Sequence, residues 1–302
     1  MSVWSPVIDN SSRPIERGPE TRRFIKRRRR AKRSLQVLSR LSGKRLATWA
    51  TRAAAWHGRP DISVRYDATL ELYFVEETEV HAFSHPKRLW TLFDGQIARG
   101  KKLAYDYLLD QIDFEDGDNI IDVGANTGDL ALAFRALNRK VNIDAFEPSP
   151  KECLALEKNL SICSAVVSHR AHQLALWNET SDGLTFYLKP GKADNSILPI
   201  VGADNKIIVP SRRLDDVLQN GQVRYRLLKL EAEGAEPEIL RGAEKLLPQV
   251  DYIAADVGFE RGLDADSTLP KVANFLIQHG FDIVGFGGTR LVLLFRNQAT
   301  KR

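Results

Sequence analysis

Two carboxylates stand at the ends of neighbouring apolar segments, and together they suit a ligand that carries hydroxyl and ammonium groups. Asp122 lies at the end of the segment 119–123, and Glu147 follows the segment 141–146. Because parallel strands present their carboxyl ends at one edge of a sheet, we expect both side chains at that edge. Glu147 can accept two hydrogen bonds from a ribose diol, and Asp122 can face an ammonium. The alternative is that both residues only cap the helices that follow.

A turn with two glycines, GANTG at 124–128, follows the first carboxylate and leads into a helix. Glycine lets the backbone approach a ligand closely, and the start of a helix offers unpaired N–H groups. Asn126 and Thr127 replace the second glycine and its neighbour in the dinucleotide-binding fingerprint, which disfavours a pyrophosphate site and an NAD-dependent dehydrogenase. S-adenosylmethionine has a ribose diol and an amine but no phosphate, so it is the predicted cofactor.

Two further carboxylates, Glu231 and Glu233, follow the apolar segment 226–230 and are the predicted catalytic residues. A sulfonium donor is already a strong electrophile, so the protein mainly supplies in-line positioning and a dry pocket. A neutral hydroxyl acceptor also needs a base, and these two residues are the first candidates for it. In the alternative interpretation they form an acidic cap for the helix after Gly234.

Other reactive residue types carry less information. The histidines lack metal-ligand spacing, and the DAD stretch at 264–266 lies in a polar loop, so no metal site is predicted. His85 and His172 are the only histidines that we would test as bases. Cys153 and Cys163 form no CxxC pair, which argues against a disulfide framework and a thiolate zinc site, and Cys153 is predicted to lie in the core.

Short apolar runs alternate with helical segments from residue 118 onward, which predicts a mostly parallel, doubly wound α/β sheet. The predicted strands are 119–123, 141–146, 166–174, 226–230, 250–256, 281–286 and 290–295. The sequence SPKE at 149–152 combines an N-cap, a proline at the first helical position and a capping-box glutamate. Ligands of such sheets bind beyond the carboxyl ends of the strands, where the carboxylates above are placed.

The N-terminal segment 1–60 differs sharply in charge from the rest of the chain. It carries 16 Lys and Arg against three Asp and Glu, whereas the remainder carries 28 against 36. Within it, apolar residues at intervals of three and four, including Trp49 and Trp56, predict an amphipathic helix. We predict contact of residues 22–56 with an anionic membrane surface as one role. Packing on the main domain, a weak nucleic-acid contact and, less favoured, a transit peptide are the alternatives.

The chain is expected to have three parts: the basic extension 1–60, a small strand-plus-helix part 61–117, and a cofactor-binding domain 118–302. In the second part, two strands are predicted within 62–83, and a helical stretch from Pro86 to about Gln111. A polar stretch, 189–206, is predicted to form a loop over the acceptor site. No apolar run approaches the length needed to span a bilayer, so a soluble, cytoplasmic protein is expected.

Three motifs together resemble the FkbM family of S-adenosylmethionine-dependent methyltransferases. They are DVGANTGD at 122–129, FEPSP at 146–150 and LKLEAEGAE at 228–236. Their order and spacing also agree, and the resemblance covers about residues 85–295. It implies a class I methyltransferase Rossmann-like sheet of seven strands, mostly parallel with the last strand antiparallel, and the donor over the first two strands. It also implies O-methylation of a hydroxyl on a sugar, a polysaccharide precursor or another small metabolite.

The resemblance also implies roles for single residues. Gly124, Asn126 and Gly128 would shape the methionine end of the donor pocket. Asp122 would support that end, and Glu147 would hold the ribose hydroxyls. Glu231 stands where the family usually has Asp, which moves the carboxylate by roughly one methylene, so no direct substrate contact is carried over to it.

Two other functions are open at this point. A nucleic-acid methyltransferase would use the basic extension, but the Asn/Asp-Pro-Pro-aromatic signature of base N-methylation is absent and the main domain is acidic. A small-molecule or glycan acceptor is therefore expected, and a nucleic-acid partner is not. The second alternative is a non-catalytic protein with a methyltransferase fold, recruited to a membrane or a partner.

Overall fold

The computed structural model describes residues 41–92, 94–189, 195–199, 203, 205–218, 223–287 and 289–300. The basic run at 26–33 and half of the predicted loop at 189–206 lie outside the described residues. Within the described part of the chain, no helix is both long and apolar enough to cross a membrane.

The first part of the described chain contains one helix and a small antiparallel sheet. Its elements are α1 (Gly43–Trp56), β1 (Ser63–Asp67), β2 (Leu72–Glu76) and β3 (Val80–Phe83). The expectation of two strands within 62–83 is wrong, because β3 adds a third. Its last three residues are all buried, so the strand lacks the alternation of apolar and polar residues that marks a strand with one wet face.

The exposed face of α1 also differs from the sequence expectation. The side that packs on the small sheet is formed by Leu46, Ala47, Ala50 and Ala54. Trp49 is 50% exposed and Trp56 is 82% exposed, so the two tryptophans lie outside the buried stripe to which their spacing assigned them. Small alanines allow the helix to approach the sheet closely, which places the larger rings on the outer side.

A helical stretch follows as predicted, but it is divided into three pieces. They are a 3-10 helix (Pro86–Leu92), α2 (Gln96–Asp106) and a second 3-10 helix (Leu109–Gln111). Leu89 and Leu92 pack against α1 and the small sheet, while Leu103 and Leu109 join the core of the main sheet. We call α1, the small sheet β1-β2-β3 and this helical stretch the N-terminal unit. The helical stretch connects it to the main sheet.

The remaining elements form the main domain. The strands and helices are β4 (Asp118–Val123), α3 (Leu130–Ala136), β5 (Val141–Phe146), α4 (Pro150–Ile162), β6 (Val166–His172), β7 (Ala175–Leu176), β8 (Ser181–Leu188), β9 (Asn205–Arg212), α5 (Leu214–Val217), β10 (Tyr225–Leu230), α6 (Glu236–Arg241), β11 (Val250–Asp256), β12 (Phe259–Arg261), β13 (Asp266–Ser267), α7 (Leu269–Gln278), β14 (Phe281–Gly287) and β15 (Val292–Asn297). A 3-10 helix, Leu247–Gln249, precedes β11.

Seven strands form the central sheet in the order β14-β15-β11-β10-β4-β5-β6. The last strand in the chain, β15, runs antiparallel to both of its neighbours, and the other described pairings are parallel. The expected class I methyltransferase sheet is thereby confirmed. Successive residues such as Ile120 and Ile121 point into two separate cores, one on each face of the sheet.

Most strand positions agree with the sequence expectation. The predictions for 141–146 and 250–256 match β5 and β11 at both ends, whereas β6 ends two residues before the predicted 174 and β15 lies two residues later than predicted. A second small sheet, β7-β9-β8, was not predicted. Phe186 is the only fully buried residue of β8, so this strand lacks a continuous apolar pattern.

The predicted capping box at the start of α4 is not formed. The hydroxyl of Ser149 contacts Glu152, and Glu152 also accepts a hydrogen bond from Ser84 Oγ at 2.8 Å. The backbone N–H of Ser149 donates instead to Glu147 Oε1 at 2.9 Å. The start of this helix therefore holds the carboxylate that follows β5.

Candidate functional site

A cavity of about 370 Å³ opens at the carboxyl edge of the central sheet, over β4, β5 and β10. This size is within the usual range for small-molecule sites. Six of the seven predicted site residues line it: Asp122, Gly124, Asn126, Glu147, Glu231 and Glu233. The seventh, Gly128, lies behind the lining, where a Cβ atom would come 2.9 Å from Leu156 Cδ1 of α4.

The glycine turn fits closely between two strand ends. Gly124 has a φ of +68°, and a Cβ atom there would lie 1.8 Å from the carbonyl oxygen of Glu231. Only glycine fits at this position. Other residues rarely adopt this φ, and their Cβ atom would clash with the backbone carbonyl of Glu231. The N–H groups of Gly124 and Ala125 both donate to the carbonyl of Phe146, at 3.1 and 3.0 Å. The turn is thus fixed to the ends of β5 and β10.

Within the described ranges, the hydrogen bonds that hold Glu147 all come from backbone groups. Its Oε2 accepts the N–H of Asn126 at 2.9 Å, and its Oε1 accepts the N–H of Ser149 at 2.9 Å. Burial raises the pKa of this carboxyl to about 7, against the pull of the two N–H groups. Since each carboxylate oxygen has two lone pairs, both oxygens can accept one more hydrogen bond from a ligand in the cavity.

Asp122 faces an ammonium, as expected from sequence, but that group belongs to the chain itself. Lys229 Nζ lies 3.1 Å from Asp122 Oδ1, and it donates to the carbonyls of Val123 and Gly124 at 3.1 and 2.9 Å. Burial raises the pKa of Asp122. Burial alone would lower the pKa of Lys229, but Asp122 and Glu231 raise it, so this amine stays charged.

Glu231 is surrounded by cations and a phenol. Lys229 Nζ lies 3.2 Å from its Oε2, Arg290 forms an ion pair with its Oε1, and the Tyr107 hydroxyl donates to it. Burial would raise the pKa of Glu231, but the charges of Lys229 and Arg290 lower it to about 2. A carboxylate held this way stays ionised and is a weak base.

Glu233 lies further along the same loop and has a φ of +50°. Its side chain lines the cavity, and its backbone carbonyl accepts a hydrogen bond from Ser196 Oγ at 3.1 Å. Ser196 also pairs with Tyr187 of β8 through their backbones. The loop therefore joins the cavity to the second small sheet, which contributes Phe186 to the lining.

Sequence reasoning missed the arginine that organises one side of the site. Arg290 Nε lies 2.9 Å from Asp256 Oδ2, and its Nη1 donates to the Tyr107 hydroxyl at 2.8 Å. Burial raises the pKa of Tyr107 well above its usual value, so the hydroxyl stays protonated. The sequence did contain a signal for this pair. Asp256 ends a parallel strand, and Arg290 precedes the antiparallel strand β15, which begins at the same edge of the sheet.

Glu260, on β12, is a further carboxylate in the lining that the sequence analysis did not select. Among the described residues its one ion-pair partner is Arg290, whose Nη2 lies 3.9 Å from Glu260 Oε1, beyond hydrogen-bond distance. Burial, followed by the charge of Asp256, raises the pKa of Glu260 to about 7.

The N-terminal unit closes another side of the cavity through Asp129. Arg99 Nη2 lies 2.8 Å from Asp129 Oδ2, and His81 Nε2 lies 3.0 Å from Oδ1. Burial would raise the pKa of Asp129, but Arg99 and His81 outweigh it and hold the pKa well below its usual value. The end of the glycine turn is thereby tied to α2 and β3, and Arg88 and Arg99 line the cavity.

The two histidines selected as bases lie outside the lining. His172 stacks on Phe146, with ring centroids 4.6 Å apart and planes 9° apart, and burial lowers the pKa of His85. Cys153 is buried on α4 beside Leu156 and Leu160, as predicted.

Comparisons with known proteins agree with this geometry. The family described as Methyltransferase FkbM domain matches residues 122–283, which is more than half of the chain. Methyltransferase 1 of Beauveria bassiana is 30% identical over 166 residues, 48% of this chain and 66% of that protein. This chain thus spans just under two thirds of the length of that relative.

Two further relatives carry more specific names. The 31-O-demethyl-FK506 methyltransferase FkbM of Streptomyces tacrolimicus is 27% identical over 221 residues, 61% of this chain and 82% of that protein. The hexuronic acid methyltransferase AglP of Haloferax volcanii is 24% identical over 172 residues, 57% of this chain and 66% of that protein. The family match, the strand order and the carboxylate-lined cavity lead to one conclusion: the chain belongs to the FkbM family of methyltransferases.

Proposed function

We propose that the chain transfers a methyl group from S-adenosylmethionine to a hydroxyl on a sugar, a polysaccharide precursor or another small metabolite. The observation that carries this proposal is Glu147, a buried carboxylate with two free acceptor positions at the edge of a cavity over β4 and β5. The names of two relatives, one a demethyl-FK506 and one a hexuronic acid methyltransferase, support an oxygen acceptor.

The residues present fit this donor. The described lining holds seven carboxylates against five Lys and Arg, so the cavity favours a cationic ligand without phosphate. Glu147 would accept both ribose hydroxyls. The methionine end would be surrounded by Asp122, Gly124 and Asn126. Gly128 does not line the cavity, but it would fix the shape of the turn through its close packing on Leu156.

When bound, the donor supplies an electrophilic methyl group on a positively charged sulfur. The chain has to hold this group in line with the acceptor oxygen, exclude water and remove the hydroxyl proton. Glu231 and Glu233 stay the candidates for that base from sequence, and both line the cavity. The geometry favours a positioning role for Glu231, because its oxygens already contact Lys229, Arg290 and Tyr107.

We propose Glu260 as the third candidate for the base. It lines the cavity, and among the described residues no group lies within hydrogen-bond distance of its carboxylate. Because Arg290 lies beyond hydrogen-bond distance, this carboxylate can accept the proton of a hydroxyl without breaking a hydrogen bond. Its pKa of about 7 also matches the range in which a base works at neutral pH.

A screen of hydroxyl acceptors with methyl-labelled donor tests the proposed reaction. We expect label in at least one sugar or small-metabolite acceptor, and no label with Glu147→Ala. The variants Glu260→Gln, Glu233→Gln and Glu231→Gln then identify the base. Loss of the base should lower kcat by 10²-fold or more and flatten the pH–rate profile near 7, with little change in donor affinity. If Glu260→Gln keeps the wild-type profile, Glu260 is not the base.

A further inference from the structure

The outer face of α1 is cationic and aromatic. Residues Lys44, Arg45, Trp49, Arg52 and Trp56 are all exposed, and the helix contains no acidic residue. At 100° per residue these five side chains fall on one side of the helix, opposite the buried Leu46, Ala50 and Ala54. The face is therefore separate from the side that packs on the small sheet.

Among the described residues, no acidic side chain compensates the charges on this face. Lys44, Arg45 and Arg52 have no ion-pair partner within the ranges that the structure describes. The guanidinium of Arg52 lies 5.4 Å from the ring centre of Trp49, so one cation and one ring form a joint surface. The chain just before the helix adds basic charge, with seven Lys and Arg among residues 26–33.

Exposed tryptophans beside uncompensated cations suit the interface of a membrane better than water. Tryptophan rings favour the headgroup level of a bilayer, and Lys and Arg are attracted to anionic lipid headgroups. A nucleic-acid surface would use the cations but gives no general role to two rings on an exposed helix face. The aromatic residues therefore favour lipid.

We propose that the face formed by Lys44, Arg45, Trp49, Arg52 and Trp56 docks the protein on an anionic membrane surface. The helix would lie flat, with its inner side still packed on β1 and β2. The cytoplasmic leaflet is the anionic one, which agrees with the cytoplasmic location expected from sequence.

Flotation of the full chain with lipid vesicles tests this proposal. We expect binding to vesicles of phosphatidylcholine mixed with phosphatidylglycerol, weak binding to pure phosphatidylcholine, and loss of binding at high salt. Reversing the charges of Lys44, Arg45 and Arg52 to Glu should weaken binding by about fivefold or more for each residue, because one basic residue near an anionic surface contributes about 1 kcal/mol. Trp49→Ala with Trp56→Ala should also weaken it severalfold.

A matched control is Phe286→Ala, which removes another ring that is 76% exposed, on β14. This variant should float like the wild type, and circular dichroism should show all variants folded. The proposal is overturned if the charge-reversed or tryptophan variants bind vesicles as well as the wild type. It is equally overturned if the chain ignores anionic vesicles and binds RNA through the same residues.

Discussion

Glu147 and Glu231 are both buried carboxylates at one edge of the sheet, yet the protein holds them in opposite ways. Glu147 follows β5 and is bound by two backbone N–H groups, which leave lone pairs for a ligand. Glu231 follows β10 and is bound by Lys229, Arg290 and Tyr107. The pKa of the first rises to about 7, and that of the second falls to about 2.

This difference separates ligand binding from structural support within one cavity. Side-chain cations around Glu231 neutralise it and fix the ends of β4, β10 and β15 relative to one another. Around Glu147 the part of the chain that the structure describes donates hydrogen bonds only from neutral backbone groups, so the cost of burying its charge is left for a ligand to offset. The predictions below test this contrast.

Removing Lys229 should have the largest effect on stability. Lys229→Met leaves Asp122 and Glu231 buried without their shared cation, and we expect a loss of about 3–5 kcal/mol in the free energy of unfolding. Denaturant titration measures it. Lys151→Met is the matched control, since Lys151 forms an exposed ion pair with Glu71 and its loss should change little. Equal effects of the two variants would contradict the structural role of the Lys229 cluster.

The two carboxylates should also affect the pH dependence of stability in opposite directions. The pKa of Glu147 is raised from 4.5 to about 7, so its contribution is complete below pH 4.5 and is lost as pH rises through 7. The pKa of Glu231 is lowered, so its contribution is present above pH 4.5 and is lost as pH falls towards 2.

Glu147→Gln replaces the titrating carboxylate of Glu147 with a neutral amide. Relative to the variant, the wild type should lose roughly 3 kcal/mol of unfolding free energy between pH 4.5 and 8. Chemical denaturation of the wild type and the variant across this range gives the difference directly. Because the pKa of Glu260 is also raised to about 7, its effect is present in both proteins and cancels in the comparison. A difference that stays constant with pH would mean that Glu147 has an ordinary pKa.

Ligand affinity should change by a smaller free energy. Glu147→Ala removes the two oxygens that we propose accept the ribose hydroxyls, and we expect S-adenosylhomocysteine to bind about 10-fold to 100-fold more weakly. Glu157→Ala, at an exposed glutamate of α4 next to His169, serves as the control in the same calorimetric titration. Unchanged affinity in Glu147→Ala would remove this residue from the donor site.

The smallest effect is expected at Glu231, where the resemblance leads us to expect Asp. Glu231→Asp shortens the side chain by one methylene and should break one of its contacts, at a cost of about 1 kcal/mol. Thermal unfolding measures this cost, with Glu157→Asp as reference. A loss as large as that of Lys229→Met would contradict this small cost and show that the cluster depends on the length of the Glu231 side chain as much as on the Lys229 cation.

Much of this fold was predictable because buried parallel strands give continuous apolar runs. Val141–Phe146 and Val250–Asp256 were located to the residue, and the edge rule placed Asp122 and Glu147 together. β3 escaped prediction because it shows no alternating apolar pattern. In β8 the apolar residues Leu184, Phe186 and Leu188 do alternate, so this strand was a missed signal. The role of Lys229 could not be assigned from sequence, since it depends on contacts between strands that are far apart in the chain. The position of Arg290 just before β15 was a usable signal that was missed.

We propose that the cavity over β4 and β5 binds S-adenosylmethionine through Glu147. Calorimetric titration of the purified chain with S-adenosylhomocysteine, with NAD as the second ligand, tests this proposal. We expect micromolar binding of S-adenosylhomocysteine and no binding of NAD. Failure of the folded protein to bind S-adenosylhomocysteine, or equal binding of NAD, would contradict it.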